Sequence, residues 1–286
     1  MPPPTIPSSL RRLALVLALS LAAAGGIASV AVPEAASAAA LPARGSSLTA
    51  MPAFPRPTVV MPPRSTPYVV EAGRTVDFHF AELNGSTNGH SEFQQPVLVL
   101  EPGATARNLI IGPLAADGVH CLATCRIEGM WSPHVGEDAV TLQAGSPAGS
   151  VVTITGGAVA HAYDKVVQLD GAGTAVITHL AASDIGTLAR SCGDCLVQET
   201  RHVVVSDVLI TGGRYKVVGV NQDLGDTARL DHVTIRGTRI PVCARTIGGR
   251  GTPAVEVPGD DGGPYRGVCD FGYDTILYQG GAMHAG

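Results

Sequence analysis

The stretch Val203-Val-Val-Ser-Asp-Val-Leu-Ile-Thr-Gly212, echoed by Leu230-Asp-His-Val-Thr-Ile-Arg-Gly237, decides the fold. Each is a short run of β-branched and apolar residues that ends in a glycine. The same Ile-x-Gly ending recurs at Ile127/Gly129 and Ile154/Gly156. Other apolar runs, among them Leu109 to Ile111, Val166 to Leu169 and Val217 to Val220, stop at Gly, Asp or Asn and follow at irregular intervals, mostly in the twenties. No helical period of 3.6 links them. Strand, turn and strand repeated in this way predict a solenoid whose coils contribute short strands to stacked parallel sheets. A β-sandwich also gives many short strands, but it requires clear hairpin turns and in/out alternation, and the inward Ile and Val here favour the solenoid. The fold class expected is all-β: a single-domain parallel β-helix.

Composition agrees. Of 286 residues, 45% are hydrophobic and only 15% charged, with 35 glycines and a single tryptophan, Trp131. That mix favours strands and turns over long helices. A formal net charge of −5 gives no basic footprint, so nucleic acid is not an expected partner.

Three segments are expected. Arg11-Arg12, the apolar run Leu13 to Leu21 and the small-residue ending Ala36-Ser37-Ala38 read as a signal peptide over residues 1–38. The predicted localisation is therefore secreted, with no membrane association after cleavage. Residues 39–67 are rich in proline and read as an extended linker. Residues 68–286 form the β-helix domain, with a C-terminal cap from about residue 238 that covers the open solenoid end. The six cysteines then read as oxidised: Cys121 with Cys125, Cys192 with Cys195, and Cys243 with Cys269. A zinc site from the first four needs reduced thiols and conflicts with export.

Carboxylates cluster against a low-charge background: Glu92 in His90-Ser-Glu, Asp117 in Ala116-Asp-Gly, and the pair Glu137-Asp138. Asp117 and the pair lie about one coil apart, a spacing that stacks side chains on one face. Stacked carboxylates repel unless a cation joins them, and Ca²⁺ takes hard oxygen ligands. The competing reading is ordinary turn chemistry beside glycine. Lys165 and Arg190 follow one and two coils later, and Lys165 is one of only two lysines, the other being Lys216. A partly desolvated lysine near a metal suits a general base, and an arginine holds a carboxylate bidentately. A plain salt bridge from Lys165 to Asp164 or Asp184 is the bland alternative.

Taken in order, Asn108-Leu-Ile-Ile-Gly112, Ala116-Asp-Gly-Val-His-Cys121, Val135-Gly-Glu-Asp-Ala-Val-Thr-Leu142, Val152-Thr-Ile-Thr-Gly-Gly157, Ala162-Tyr-Asp-Lys165 and Asp184-Ile-Gly186 closely resemble family 3 pectate lyases. The resemblance runs from about Tyr68 to Gly237. It implies a right-handed parallel β-helix, monomeric, that cleaves polygalacturonate by calcium-dependent β-elimination. Carried over by position, Asp117, Glu137 and Asp138 bind calcium, Glu92 is a further acid of the groove, and Lys165 and Arg190 are the catalytic cations, with the base left open between them. Two positions depart from the family pattern: His134 stands where an acid is usual, and His161 where many members carry lysine. A polygalacturonase-like hydrolase lacks its usual signatures here, and a non-catalytic polysaccharide-binding β-helix does not require both Lys165 and Arg190.

Overall fold

A computed structural model describes residues 48–86, 89 and 94–280. Among these the chain is built from β-strands, with single turns of 3₁₀ helix only at Gln222–Leu224 and Tyr273–Thr275. The strands stack into three parallel faces. Face A comprises Tyr68–Val70, Pro96–Leu100, Asp117–Cys121, Asp138–Leu142, the last part of Val151–Leu169, the last part of Ala181–Ser191, Lys216–Asn221 and Cys243–Ile247. Faces B and C follow it around each coil, and the long strands Val151–Leu169, Arg201–Thr211 and Thr227–Arg236 bend from one face to the next. The fold is a parallel β-helix.

Inward residues explain why the coils stack. On face A the register places Leu98, Val119, Val140, Val167, Ala189, Val218 and Cys243 one above another. All are buried in one continuous core. Each buried Val or Leu stabilises the fold by about 1.5–3 kcal/mol, and β-branched residues pack well in such ladders.

The Ile-x-Gly ending is not a single structural position. Gly129 and Gly156 sit at the corner between faces B and C, in a column with Asn108, His179, Asp207 and His232, every one at positive φ. Gly212 and Gly237 instead leave face C, stacked on Asp184. Both corners demand left-handed backbone, so glycine follows the last inward Ile at each.

The predicted linker is extended in its described part, residues 48–67, but it is docked. Val60 bridges Glu82 in parallel, the Met61 amide donates to the Glu82 carbonyl at 2.9 Å, and Phe54 meets the Trp131 ring edge-on at 6.0 Å. Met51, Phe54 and Phe80 pack over Ile110 and Trp131, apolar positions on the outside of face C that need a cover. The predicted signal peptide and residues 39–47 lie outside the described residues. No helix among the described residues is long and apolar enough to cross a membrane. The tail beyond residue 238 supplies the last rung of every face: Cys243–Ile247, Cys269–Asp270 and Ile276–Gln279. Val255–Glu256 folds back antiparallel to Cys243–Ile247. The three disulfides, Cys121–Cys125, Cys192–Cys195 and Cys243–Cys269, pair as expected, so their sulfurs are not available to zinc.

Candidate active site

The outer surface of face A collects the chemistry. Register places Asp138 beside Lys165, Lys165 beside Thr187 and Thr187 beside Lys216, with Asp117 on the preceding coil. A second column, displaced along the strands, runs His120, Thr141, Gln168, Arg190 and Gly219. Close backbone contact brings the acids together. The Glu137 amide donates to the Ala116 carbonyl at 2.6 Å. A Cβ on Gly136 would lie 2.5 Å from the Ala116 Cα, and one on Gly118 would lie 2.2 Å from the Ala139 carbonyl oxygen. Glycine is required at both places for the coils to approach.

Asp117, Glu137, Asp138 and Lys165 are all buried. The Lys165 ammonium lies 3.3 Å from Glu137 Oε1 and 3.4 Å from Asp138 Oδ1, and it also hydrogen-bonds Asp164. Burial alone pulls the Lys165 pKa down, but Asp138, Asp164 and Glu137 together hold it above the ordinary lysine value. The bland expectation of a Lys165–Asp164 bridge is therefore present, as one of three contacts in a buried cluster. Burial raises the Asp138 pKa well above the usual carboxylate range; Lys165 opposes this, and neighbouring Glu137 and Asp117 add to it. Asp117 Oδ2 faces His120 Nε2 at 3.0 Å. Asp117 Oδ1 and Asp138 Oδ1 are buried without any hydrogen bond.

Asp117 Oδ1 is thus orphaned and Asp138 Oδ1 has only its ion pair with Lys165, and an unsatisfied buried acceptor costs about 1–3 kcal/mol and more when charged. Carboxylate oxygens of Glu137, Asp138 and Asp164 lie within 4.8 Å of one another. This donor set of hard oxygens fits a cation such as Ca²⁺. Asp117 stands on the same groove wall, a cavity of about 520 Å³ that also takes in His120, Thr141 and Asp170.

Arg190 lies further along face A, in an adjoining groove of about 550 Å³ with Lys216, Arg214, Tyr215 and Glu256. Asp164 lines this groove too and links it to the lysine cluster. The Arg190 side chain makes no ion pair or hydrogen bond among the described residues. Arg190 sits near the end of the strand Ala181–Ser191, and the Cys192–Cys195 disulfide closes the turn that follows directly. Glu92 lies outside the described residues.

The two departing histidines come together. His134 and His161 stack at 5.0 Å between ring centroids, and His161 Nδ1 lies 2.8 Å from Asp184 Oδ2. Asp184 also pairs with Arg214, and the hydrogen bond from His161 is the largest influence lowering its pKa. His161 and Asp184 occupy successive rungs of the left-handed corner between faces C and A, which explains the contact. Sequence reasoning did not single out Asp164, Lys216 or Glu256 as site residues. Scarcity was the available signal for Lys216; nothing local marked Glu256, which arrives on the antiparallel return strand.

The chain is similar to pectate lyases. The pectate lyase family profile matches residues 52–250. A probable pectate lyase F of Aspergillus terreus is 41% identical over 169 residues, covering 57% of this chain and 71% of that protein. The crystal structure of the catalytic domain of pectate lyase PelI from Erwinia chrysanthemi superposes with a TM-score of 0.62 at 26% identity, covering 76% of this chain and 100% of that one. A second structure of that enzyme, in complex with tetragalacturonic acid, gives a TM-score of 0.60 at 25% identity, covering 75% and 71%. The match begins within the docked proline-rich segment and extends past Gly237, so it is longer at both ends than the motifs alone indicated. The parallel β-helix, the acidic cluster around Lys165 and these relationships converge on one statement: this chain belongs to the pectate lyase family.

Proposed function

We propose that the protein is a family 3 pectate lyase, secreted and monomeric, that cleaves (1→4)-α-D-galacturonan by calcium-dependent β-elimination to 4,5-unsaturated oligogalacturonides. The observation that carries this reading is the buried Lys165 amine among Glu137, Asp138 and Asp164, next to a groove in which the Arg190 side chain is unpaired among the described residues. Three disulfides support export, since oxidised pairs persist outside the cytosol.

Glu137, Asp138 and Asp117 are the residues that would hold calcium, with Glu92 a further acid by resemblance. Bound there, calcium supplies Lewis-acid polarisation of the uronate carboxylate, which acidifies the C5 proton. Lys165 is protonated while the carboxylates face it. Once they are engaged elsewhere, burial becomes the dominant influence on its amine and favours the neutral form. Lys165 then takes the C5 proton, the electrons of that bond form the C4–C5 double bond, and the C4–O4 bond breaks with O4 receiving a proton from solvent. Arg190 holds the uronate carboxylate and the negative charge that grows on it. A neutral base requires activity to rise above pH 7.

Absorbance near 235 nm tests the reading. Polygalacturonate at pH 9 should give a rising trace with calcium and a flat one with EDTA. Reducing ends released without absorbance would overturn elimination in favour of hydrolysis. Binding without either product would leave a non-catalytic polysaccharide-binding β-helix.

A further inference from the structure

We infer that Lys216 is a further uronate-binding residue of the groove, held by Glu256 until a substrate carboxylate displaces it. The inference rests on the galacturonan reading above and extends it to a residue with no assigned role. Lys216 follows Lys165 and Thr187 in the same outward column of face A. Its stem runs over Gly219 beside Arg190: a Cβ built there would meet Lys216 Cδ at 3.3 Å and Arg190 Cγ at 3.6 Å. The absence of a side chain at Gly219 lets the two cationic stems lie side by side.

The cations of this groove differ in how they are held. Arg214 is bound by Asp184 and by the Ala162 and Tyr163 carbonyls. Among the described residues the Arg190 side chain has no partner, and that of Lys216 has one, Glu256 Oε1 at 2.6 Å. The Lys216 side chain is 17% exposed whereas that of Glu256 is 69% exposed. Glu256 belongs to Val255–Glu256, a two-residue antiparallel strand on the last rung. Its pKa is lowered by the hydrogen bond and charge of Lys216, so it meets the lysine as a carboxylate. A pair whose carboxylate is this open to solvent contributes little. An incoming uronate would face both Lys216 and Arg190, and Glu256 occupies the lysine as an internal substitute for it. The arrangement selects free carboxylates and gives nothing to a methyl ester.

Binding, not turnover, tests this. Retardation of the protein in gels containing polygalacturonate and calcium gives an affinity, and gels with highly methyl-esterified pectin give the control. Removing the competing charge in Glu256→Gln should tighten polygalacturonate binding about two- to fivefold, the scale of one exposed ion pair. Lys216→Gln should weaken it about three- to tenfold, as loss of one charged contact does. The double variant should match Lys216→Gln alone, because Glu256 acts only through the lysine. Binding to esterified pectin should change in none of them. Unchanged binding in Lys216→Gln, or weaker binding in Glu256→Gln, overturns the inference and leaves the pair as an anchor for the return strand. Should Lys216→Gln lose its cooperative melt, Lys216→Met and Glu256→Gln decide the question in its place. Failure of the wild type to bind polygalacturonate overturns both readings. Binding without unsaturated product overturns only the lyase reading.

Discussion

Face A carries two charge populations on one scaffold. The earlier coils present Asp117, Glu137 and Asp138, buried and crowded. The later coils present Arg190 and Lys216 in an adjoining groove, together with Arg214. The geometry is the same in both, since neighbouring strands lie about 4.8 Å apart and like charges in register repel. The remedies differ. The acidic half relies on burial, on the internal counter-charge of Lys165 and on a raised pKa at Asp138. The basic half borrows carboxylates from elsewhere, Asp184 from the corner and Glu256 from the return strand, and gives the Arg190 side chain none among the described residues. A buried cluster with an orphaned carboxylate oxygen suits a small cation, and an open groove with displaceable partners suits a polyanion. The difference between the halves divides the labour of the site.

Breaking the acidic half should have the largest effect. Lys165→Ala should lower elimination by about 10²–10⁴-fold, the range of a lost general base. It should also destabilise the cation-free protein by about 3–5 kcal/mol, because buried carboxylates lose their counter-charge. Thermal melts with EDTA and with calcium check this: calcium should recover much of the loss in the variant and have a smaller effect in the wild type. In the basic half, Arg190→Lys keeps the charge but loses the two-pronged contact, and initial rates at pH 9 should fall by about 10²-fold, as for one lost transition-state donor.

A subtler change sharpens the link between the halves. Asp164 lines the groove of Arg190, hydrogen-bonds Lys165 and raises its pKa. In Asp164→Asn that support is gone, the folded-state pKa of Lys165 falls, and its amine becomes neutral at lower pH. The rising alkaline limb of kcat/KM should therefore move toward neutral pH, and a shift toward higher pH would contradict the assignment of Lys165 as base. The smallest effect belongs to the corner. His161→Ala frees Asp184 from one of its partners, but His161 and Asp184 are both more than half exposed. Its cost in a chemical denaturation curve should stay under about 1 kcal/mol.

The fold was legible because inward Val, Leu and Ile recur once per coil and a solenoid needs little else. The Ile-x-Gly signature misled in detail: two different corners need left-handed backbone, and glycine answers both. The acids and Lys165 were legible because they stand on successive rungs, where chain order maps directly onto space. Asp164 passed for an ordinary surface partner because adjacency in sequence says nothing about burial. Glu256 was hidden for a different reason, since it reaches Lys216 across forty residues by an antiparallel return that the parallel pattern does not foretell. The His134–His161 stack likewise depends on the pitch of the corner, which neither residue's neighbours reveal.

The division between the two halves can be read directly, because the chain contains only two lysines, one in each. Protein labelled with ¹³C at lysine gives two side-chain signals, and Lys216→Gln assigns them. On addition of calcium, the Lys165 signal should move and saturate while that of Lys216 stays in place. A Lys165 signal unmoved by calcium, or equal movement of both, would contradict a cation site in the acidic half and with it the division of the groove into two halves.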